Sequence, residues 1–362
     1  MRSSVNIGRI FGIKFEIHVT FFLLLAVMFF SDWGQRGLAG AAVSTLFLCA
    51  IFVCVVIHEL GHSLVARRFG KQTRSITLLP IGGVASLDSI PEKPGQEIAM
   101  AIVGPLINLV IAAGLYLVIG GWTGEGELNL VPTSMRGFFS GLMGVNVMLA
   151  VFNLIPALPM DGGRVLRAIL ATRMDYVRAT GIAAFVGQAI ATFFIVFGLF
   201  RNFWLAFVGL FIYTGADSEK RHASLQSLLR KVSASEAMTS EFVTLRPDES
   251  IRDAVEQFYQ TGQEDFPVVG GSHLTGLLTH DDMLAGVREK GLDAPVAEVM
   301  DRDVVVVRPE TPLDEVCRAM AAKGKTSAVV VDAGELKGIV SGGSMGMRVR
   351  KSQRRSGIKE SR

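Results

Sequence analysis

The chain has 362 residues, half of them apolar and 19% charged, with a mean hydropathy of +0.42. It is too long for one ordinary domain and too apolar for two soluble ones. A net charge of +3 with no interleaving of basic and aromatic residues argues against a nucleic-acid partner, and three cysteines, Cys49, Cys54 and Cys317, make no disulfide framework. Residues 1–216 hold 15 Lys/Arg and 10 Asp/Glu, whereas the shorter remainder holds 21 and 23. A membrane half followed by a soluble half is expected, with the change near Asp217.

Apolar segments fall at about 17–30, 38–66, 97–121, 138–158, 180–200 and 202–216, and roughly 20 such residues span a bilayer as a helix. Six crossings are expected. The first has a basic flank, but Ser31-Asp32-Trp33 offers no small-residue cleavage site, so it reads as a retained anchor. His18 at its head reads as an interfacial or packing residue.

The second segment ends in His58-Glu59-Leu60-Gly61-His62. On a helix, residues i and i+4 stack about 6 Å apart, so two imidazoles can grip one Zn2+ while the intervening Glu reaches water as a base. Counting back from Arg67 at about 1.5 Å per residue puts His58 roughly 13 Å below the cytosolic interface, a depth at which ionisable groups default to function. The same residues also suit an ion path or helix-to-helix hydrogen bonds. Metal hydrolysis needs a third ligand from elsewhere.

Residues 73–88 are too polar and short to span, and Pro80 with Gly82-Gly83 marks a turn between two β-prone halves. This stretch reads as a re-entrant hairpin beside the site, whose free edge can pair with a substrate strand, or as a surface linker. Gly104-Pro105 with Asn108 reads as a helix packing point or as a contact to the His58 helix. The 138–158 segment leads into Asn153-Leu-Ile-Pro156-Ala-Leu-Pro159-Met-Asp161-Gly162-Gly163. Asp161 ends at a depth comparable with His62, and the prolines interrupt the helix so that its carboxylate can face a polar cavity. It is the candidate third ligand; capping the next helix is its other role.

With the N-terminus inside, twelve Lys/Arg fall on inner segments and three, Arg36, Arg136 and Arg201, on outer loops, which sets both termini in the cytosol. After a linker at 217–231, short β-rich runs and amphipathic helices repeat at an offset of 62 residues: Ala237-Met238 with Val299-Met300, Arg246-Pro247 with Arg308-Pro309, Gly276 with Gly338. The basic tail at 347–362 reads as a solvated, disordered end or, alternatively, as a segment weakly attracted to anionic lipid. The expected domains are therefore 1–216, the linker, repeats at 232–290 and 291–346, and the tail.

Together, His58-Glu59-Leu60-Gly61-His62 and Asn153...Pro159-Met160-Asp161-Gly162-Gly163 resemble the site-2 protease family of intramembrane zinc metalloproteases. The duplicated segment resembles a pair of CBS domains, the accessory module of one branch of that family. The resemblance implies a polytopic α-helical membrane domain followed by an α/β CBS pair. It further implies one Zn2+ per chain held by His58, His62 and Asp161, with Glu59 as base and Asn153 and Pro159 as substrate contacts. Family members cut transmembrane segments of other proteins, so a transmembrane protein substrate, contact with membrane lipid and a multi-pass place in the cell membrane are expected. In the first repeat, Thr279 and Asp282 fit the family's pattern for an adenine nucleotide, with helix capping as the plain alternative for Asp282. The second repeat has Ser341 and Ser344 there and lacks the Asp. A homodimer through the CBS segments is a further expectation. The alternative function is a CBS-gated ion transporter or channel.

Overall fold

The computed structural model describes residues 4–80, 82–87, 93–121, 134–271 and 273–346. Asp88 and the basic tail therefore lie outside the described residues. The chain divides into two compact units, one up to Ala223 and one from Ser224.

The first unit opens with two strands that the hydropathy runs do not announce, β1 (Ser4–Ile10) and β2 (Ile13–His18), paired antiparallel. Then comes α1 (Val19–Arg68), whose helical backbone is interrupted at Gly37 with φ 72°. The two segments expected at 17–30 and 38–66 thus fall on either side of one break. His18 is the N-cap of α1, its Nδ1 accepting from Thr20 N at 3.3 Å, which is a capping role. Residues 73–87 form β3 (Thr73–Leu79) and β4 (Gly82–Leu87), an antiparallel hairpin. The sheet order is β1-β2-β3-β4, with β2 and β3 parallel. β3 is therefore covered on both edges, and the outer edge of β4 pairs with no strand among the described residues.

The helices α2 (Pro94–Ile119), α3 (Met135–Asn153), α4 (Asp161–Ala171), α5 (Tyr176–Arg201) and α6 (Phe203–Lys231) follow. Among the described residues four helices are long and apolar enough to cross a membrane: α1, α2, α3 and α5. Their outward faces carry large apolar side chains such as Leu117, Phe185 and Phe200, which water would not favour and lipid tails would. The sheet lies on α1: Ile13, Phe15 and Ile76 bury against Val56 and Leu60, on the turns around His58. The 217–231 stretch is no irregular connection, because α6 continues helically through it, helped by an Arg221–Asp217 pair at i, i+4.

In the second unit, α7 (Ala234–Ala237) and α8 (Ile251–Thr261) lead to the strands β5 (Phe266–Gly270) and β6 (His273–Leu278), then α9 (His280–Glu289). The second copy supplies β7 (Val305–Val307), α10 (Leu313–Lys323), β8 (Ser327–Asp332) and β9 (Glu335–Ser341), in sheet order β7-β8-β9. Before β5 in the first copy, Leu245 makes only an isolated parallel bridge to Val268. The two copies interlock with the symmetry of their sequence. Leu277 bridges Asp301 as Ile339 bridges Thr239, and a Cβ on Gly276 would sit 2.7 Å from Met300 Sδ, as one on Gly338 would from Met238 Sδ. Every partner in these pairs recurs 62 residues on, so each repeat is packed against the other rather than folded alone.

Candidate metal centre

His58 and His62 lie one turn apart near the C-terminal end of α1, and both are buried. Their Nε2 atoms are 3.0 Å apart. Asp161, the first residue of α4, brings Oδ2 to 3.3 Å from His58 Nε2 and 3.2 Å from His62 Nε2. The ligand atoms of these three residues all fall within 4.8 Å of one another.

The N-cap of α4 is Met160, and Asp161 turns its carboxylate to the imidazoles instead of to its own helix start. The capping alternative for Asp161 is therefore corrected: the chain enters α4 one residue earlier. Gly162 and Gly163 make this entry fit, since a Cβ on either would come within 2.3 Å of the backbone at Leu154 or Leu158.

His62 Nδ1 lies 2.6 Å from the Met100 carbonyl oxygen. A carbonyl only accepts, so that nitrogen carries the hydrogen and Nε2 presents a lone pair to the cluster. Asp161 Oδ2 is buried with no hydrogen-bond partner. Electron-pair donors so close repel unless a proton or a cation lies between them. Tetrahedral zinc with bonds of about 2.0–2.1 Å sets its ligand atoms about 3.3–3.4 Å apart, and the three separations here, 3.0, 3.2 and 3.3 Å, match that edge within a few tenths of an ångström. Two nitrogens and one carboxylate oxygen are also a donor set that zinc takes while keeping a position open.

Glu59 projects beside the hairpin: a Cβ built on Gly83 of β4 would stand 2.7 Å from its Cγ. Asn153 closes α3, half-buried, and Pro159 packs against Gly215 of α6, two residues before Asp161. Neither belongs to the group of three.

One feature of the site was left between two readings by the sequence, and another escaped it. Gly104 of α2 lies directly on the imidazoles, where a Cβ would be 2.3 Å from His62 Nε2 and 2.6 Å from His58 Nε2. Of its two readings, contact with the His58 helix is the one realised. An ion-pair cluster of the buried Glu97 and Arg167 with the partly buried Glu219 joins α2, α4 and α6 next to Asp161. Its members are too far apart in sequence for any spacing rule to link them.

In the second unit Thr279 caps α9. Its Oγ1 accepts from Asp282 N at 3.2 Å and donates to Asp282 Oδ2 at 2.6 Å. A cleft of about 730 Å³ is lined by Thr239, Val243, Gln263, Asp265, Ser341 and Ser344 among others. It includes neither Thr279 nor Asp282. Burial raises the Asp265 carboxyl there above the ordinary value, opposed by a hydrogen bond from Ser327.

The model of Peptidase family M50 matches residues 46–131 and 124–194, and the CBS domain model matches 234–289 and 296–343. The zinc metalloprotease MJ0392 of Methanocaldococcus jannaschii is 36% identical over 342 residues, 94% of each chain. The protein sll0528 of Synechocystis sp. is 30% identical over 364 residues, again 94% of each. Among solved structures, the site-2 protease of Methanocaldococcus jannaschii is 39% identical with a TM-score of 0.47, covering 60% of this chain and 95% of that one. The chain belongs to peptidase family M50 and carries two CBS domains. It is a zinc-dependent intramembrane metalloprotease, which answers the choice left open between protease and transporter.

Proposed function

We propose that the chain cleaves peptide bonds within transmembrane segments of other membrane proteins, at the point where His58, His62 and Asp161 converge. The convergence of those three buried atoms carries this reading. His58, His62 and Asp161 would hold one zinc ion, which supplies Lewis-acid polarisation of the scissile carbonyl and a lowered pKa for water. Glu59 takes a proton from the attacking water and returns it to the leaving amine. Gly83 lets the hairpin lie against the Glu59 stem, so the carboxylate and a β4-bound strand share one space. A helical substrate hides its peptide bonds in intrahelical hydrogen bonds, so it must be extended first. The uncovered edge of β4 is the template for that strand, with Asn153 and Pro159 contacting substrate.

In this reading the crossings are the two parts of α1, then α2, α3, α5 and the apolar half of α6, with the hairpin re-entrant and both termini in the cytosol of a cell-membrane protein. The domains run 1–216, 217–231, 232–290, 291–346 and 347–362. Co-expression with candidate single-span proteins tests the function. Glu59→Gln keeps the side chain's shape but cannot accept a proton, and cleavage should fall on the order of 10²–10⁴-fold. An uncut precursor should accumulate with the variant only; equal processing by both would remove the assignment.

Thr77 is not a useful probe of the template, because β3 lies between β2 and β4 and a Pro there breaks the sheet. On β4, consecutive residues present their N–H groups to opposite edges, so of Val84→Pro and Ala85→Pro one removes an outward donor. That one should slow cleavage while zinc stays bound. If both variants are folded, zinc-loaded and as fast as wild type, β4 is not the template.

The CBS pair regulates the protease by binding an adenine nucleotide, Thr279 and Asp282 exchanging their mutual hydrogen bond for bonds to phosphate and ribose. It also pairs two chains into a homodimer. Calorimetry of the purified full chain with ATP, ADP and AMP, beside Asp282→Ala, is the check. Binding should weaken in the variant, and no heat from any of the three with wild type rules the nucleotide out.

A further inference from the structure

Beside the three converging atoms lies a run of buried and partly buried charge that the proposed chemistry does not use. Arg167 of α4 is 1% exposed. Its Nε donates to Glu97 Oε1 of α2 at 2.7 Å, and its Nη1 donates to Glu219 Oε2 of α6 at 2.9 Å. One turn earlier, Arg164 stands between two carboxylates. Its guanidinium is 3.9 Å from Glu219 Oε1 and equally 3.9 Å from Asp161 Oδ1, and its Nε is buried without a partner. Asp161 thus turns one oxygen to the imidazoles and the other to a cation that it shares with Glu219.

An arginine and a carboxylate left to themselves close to about 2.7–2.9 Å, often through two parallel bonds. Arg164 closes on neither carboxylate, standing 3.9 Å from each, while Glu219 also anchors Arg167 on the same helix. We propose that Glu219 is a positioning residue of the metal centre, keeping the Asp161 carboxylate available to the ion by holding Arg164 off it. This rests on Asp161 serving as a ligand. With a neutral side chain at 219, Arg164 has Asp161 as its nearest anion. A metal must then displace a guanidinium from the carboxylate before it can bind.

The test is zinc affinity of the full chain in detergent, measured by competition with a chromophoric chelator. Wild type is compared with Glu219→Gln, Arg164→Gln and the double variant. Glu219→Gln should bind zinc about 10-fold more weakly, the low end of what outer partners of a ligand cost. Arg164→Gln, which removes the competitor, should bind at least as tightly as wild type. The double variant should return to within about twofold of Arg164→Gln, because the loss arises only through Arg164.

A merely structural role for Glu219 does not predict that recovery. Wild-type affinity in Glu219→Gln overturns the proposal, and so does a double variant as weak as Glu219→Gln. If Glu219→Gln fails to fold, the double variant decides: a folded chain with wild-type zinc affinity supports the proposal, and failure of both overturns it. Asp161→Asn separates the two readings. Zinc retained in Asp161→Asn removes the ligand assignment itself, whereas zinc lost there with no change in the Glu219 variants removes only the positioning role.

Discussion

Asp161→Asn should leave the chain folded and strip it of zinc. Its Oδ2 sits 3.3 and 3.2 Å from the two imidazole Nε2 atoms and has no other partner, so its negative charge is committed to this point. An amide of the same shape is a neutral and poorer ligand for a dication, and its NH2 group can bond the imidazole lone pair where the ion should be. Disturbing only an outer partner of a zinc ligand already costs about 10–100-fold in affinity, so losing the ligand should cost about 100-fold or more. Cleavage should fall with the metal. Glu59→Gln is the contrasting case, inactive but zinc-loaded, because Glu59 is not one of the converging three. Metal content of the purified proteins decides: one zinc per chain in Asp161→Asn, as in wild type, would sink the ligand assignment.

What the sequence makes legible here is whatever is local or repeated. His58 and His62 share a face because the helix period places them there, and the CBS pair announces itself by its 62-residue offset. Asp161 was within reach only through a depth argument, and its competing role as a cap was settled by where α4 begins. Two things were out of reach for one reason, which is that each depends on segments distant in the chain. β2 pairs with β3 across the whole of α1. The alternating Val5, Ile7, Ile13, Phe15 and Ile17 is a strand pattern, but it runs directly into an apolar helix and merges with it in a hydropathy profile. Arg167 meets Glu97 from 70 residues away and Glu219 from 52, so a residue that counts as a basic loop charge for orientation is in fact a buried ion-pair centre. Gly104 was legible as a packing point or a contact to the His58 helix, and only α1 laid against it decides for the contact.

Gly104→Ala should be more damaging than a single methyl group suggests. In an isolated helix Ala is favoured over Gly by about 1 kcal/mol, so α2 itself gains from the change. The new Cβ, however, would lie 2.3 Å from His62 Nε2 and 2.6 Å from His58 Cε1 and Nε2, whereas unbonded carbon contacts settle near about 3.5–4.0 Å. Both rings, or the whole of α2, must retreat by about an ångström. His62 is also tied to α2 through the Met100 carbonyl, so a shift of that helix drags its hydrogen-bond partner with it. Zinc–ligand distances in well-formed sites hold to within about 0.2 Å of their usual values. The expected result is a folded chain with zinc affinity lowered by about 100-fold and cleavage lost in proportion. Gly114→Ala on the same helix is the control, since a Cβ there meets nothing within 4 Å. It should keep wild-type zinc and activity, with a thermal midpoint equal to or above wild type. Wild-type zinc binding in Gly104→Ala would mean that α2 does not seat the imidazoles as described, whereas equal loss in both variants would trace the effect to α2 as a helix and not to the site.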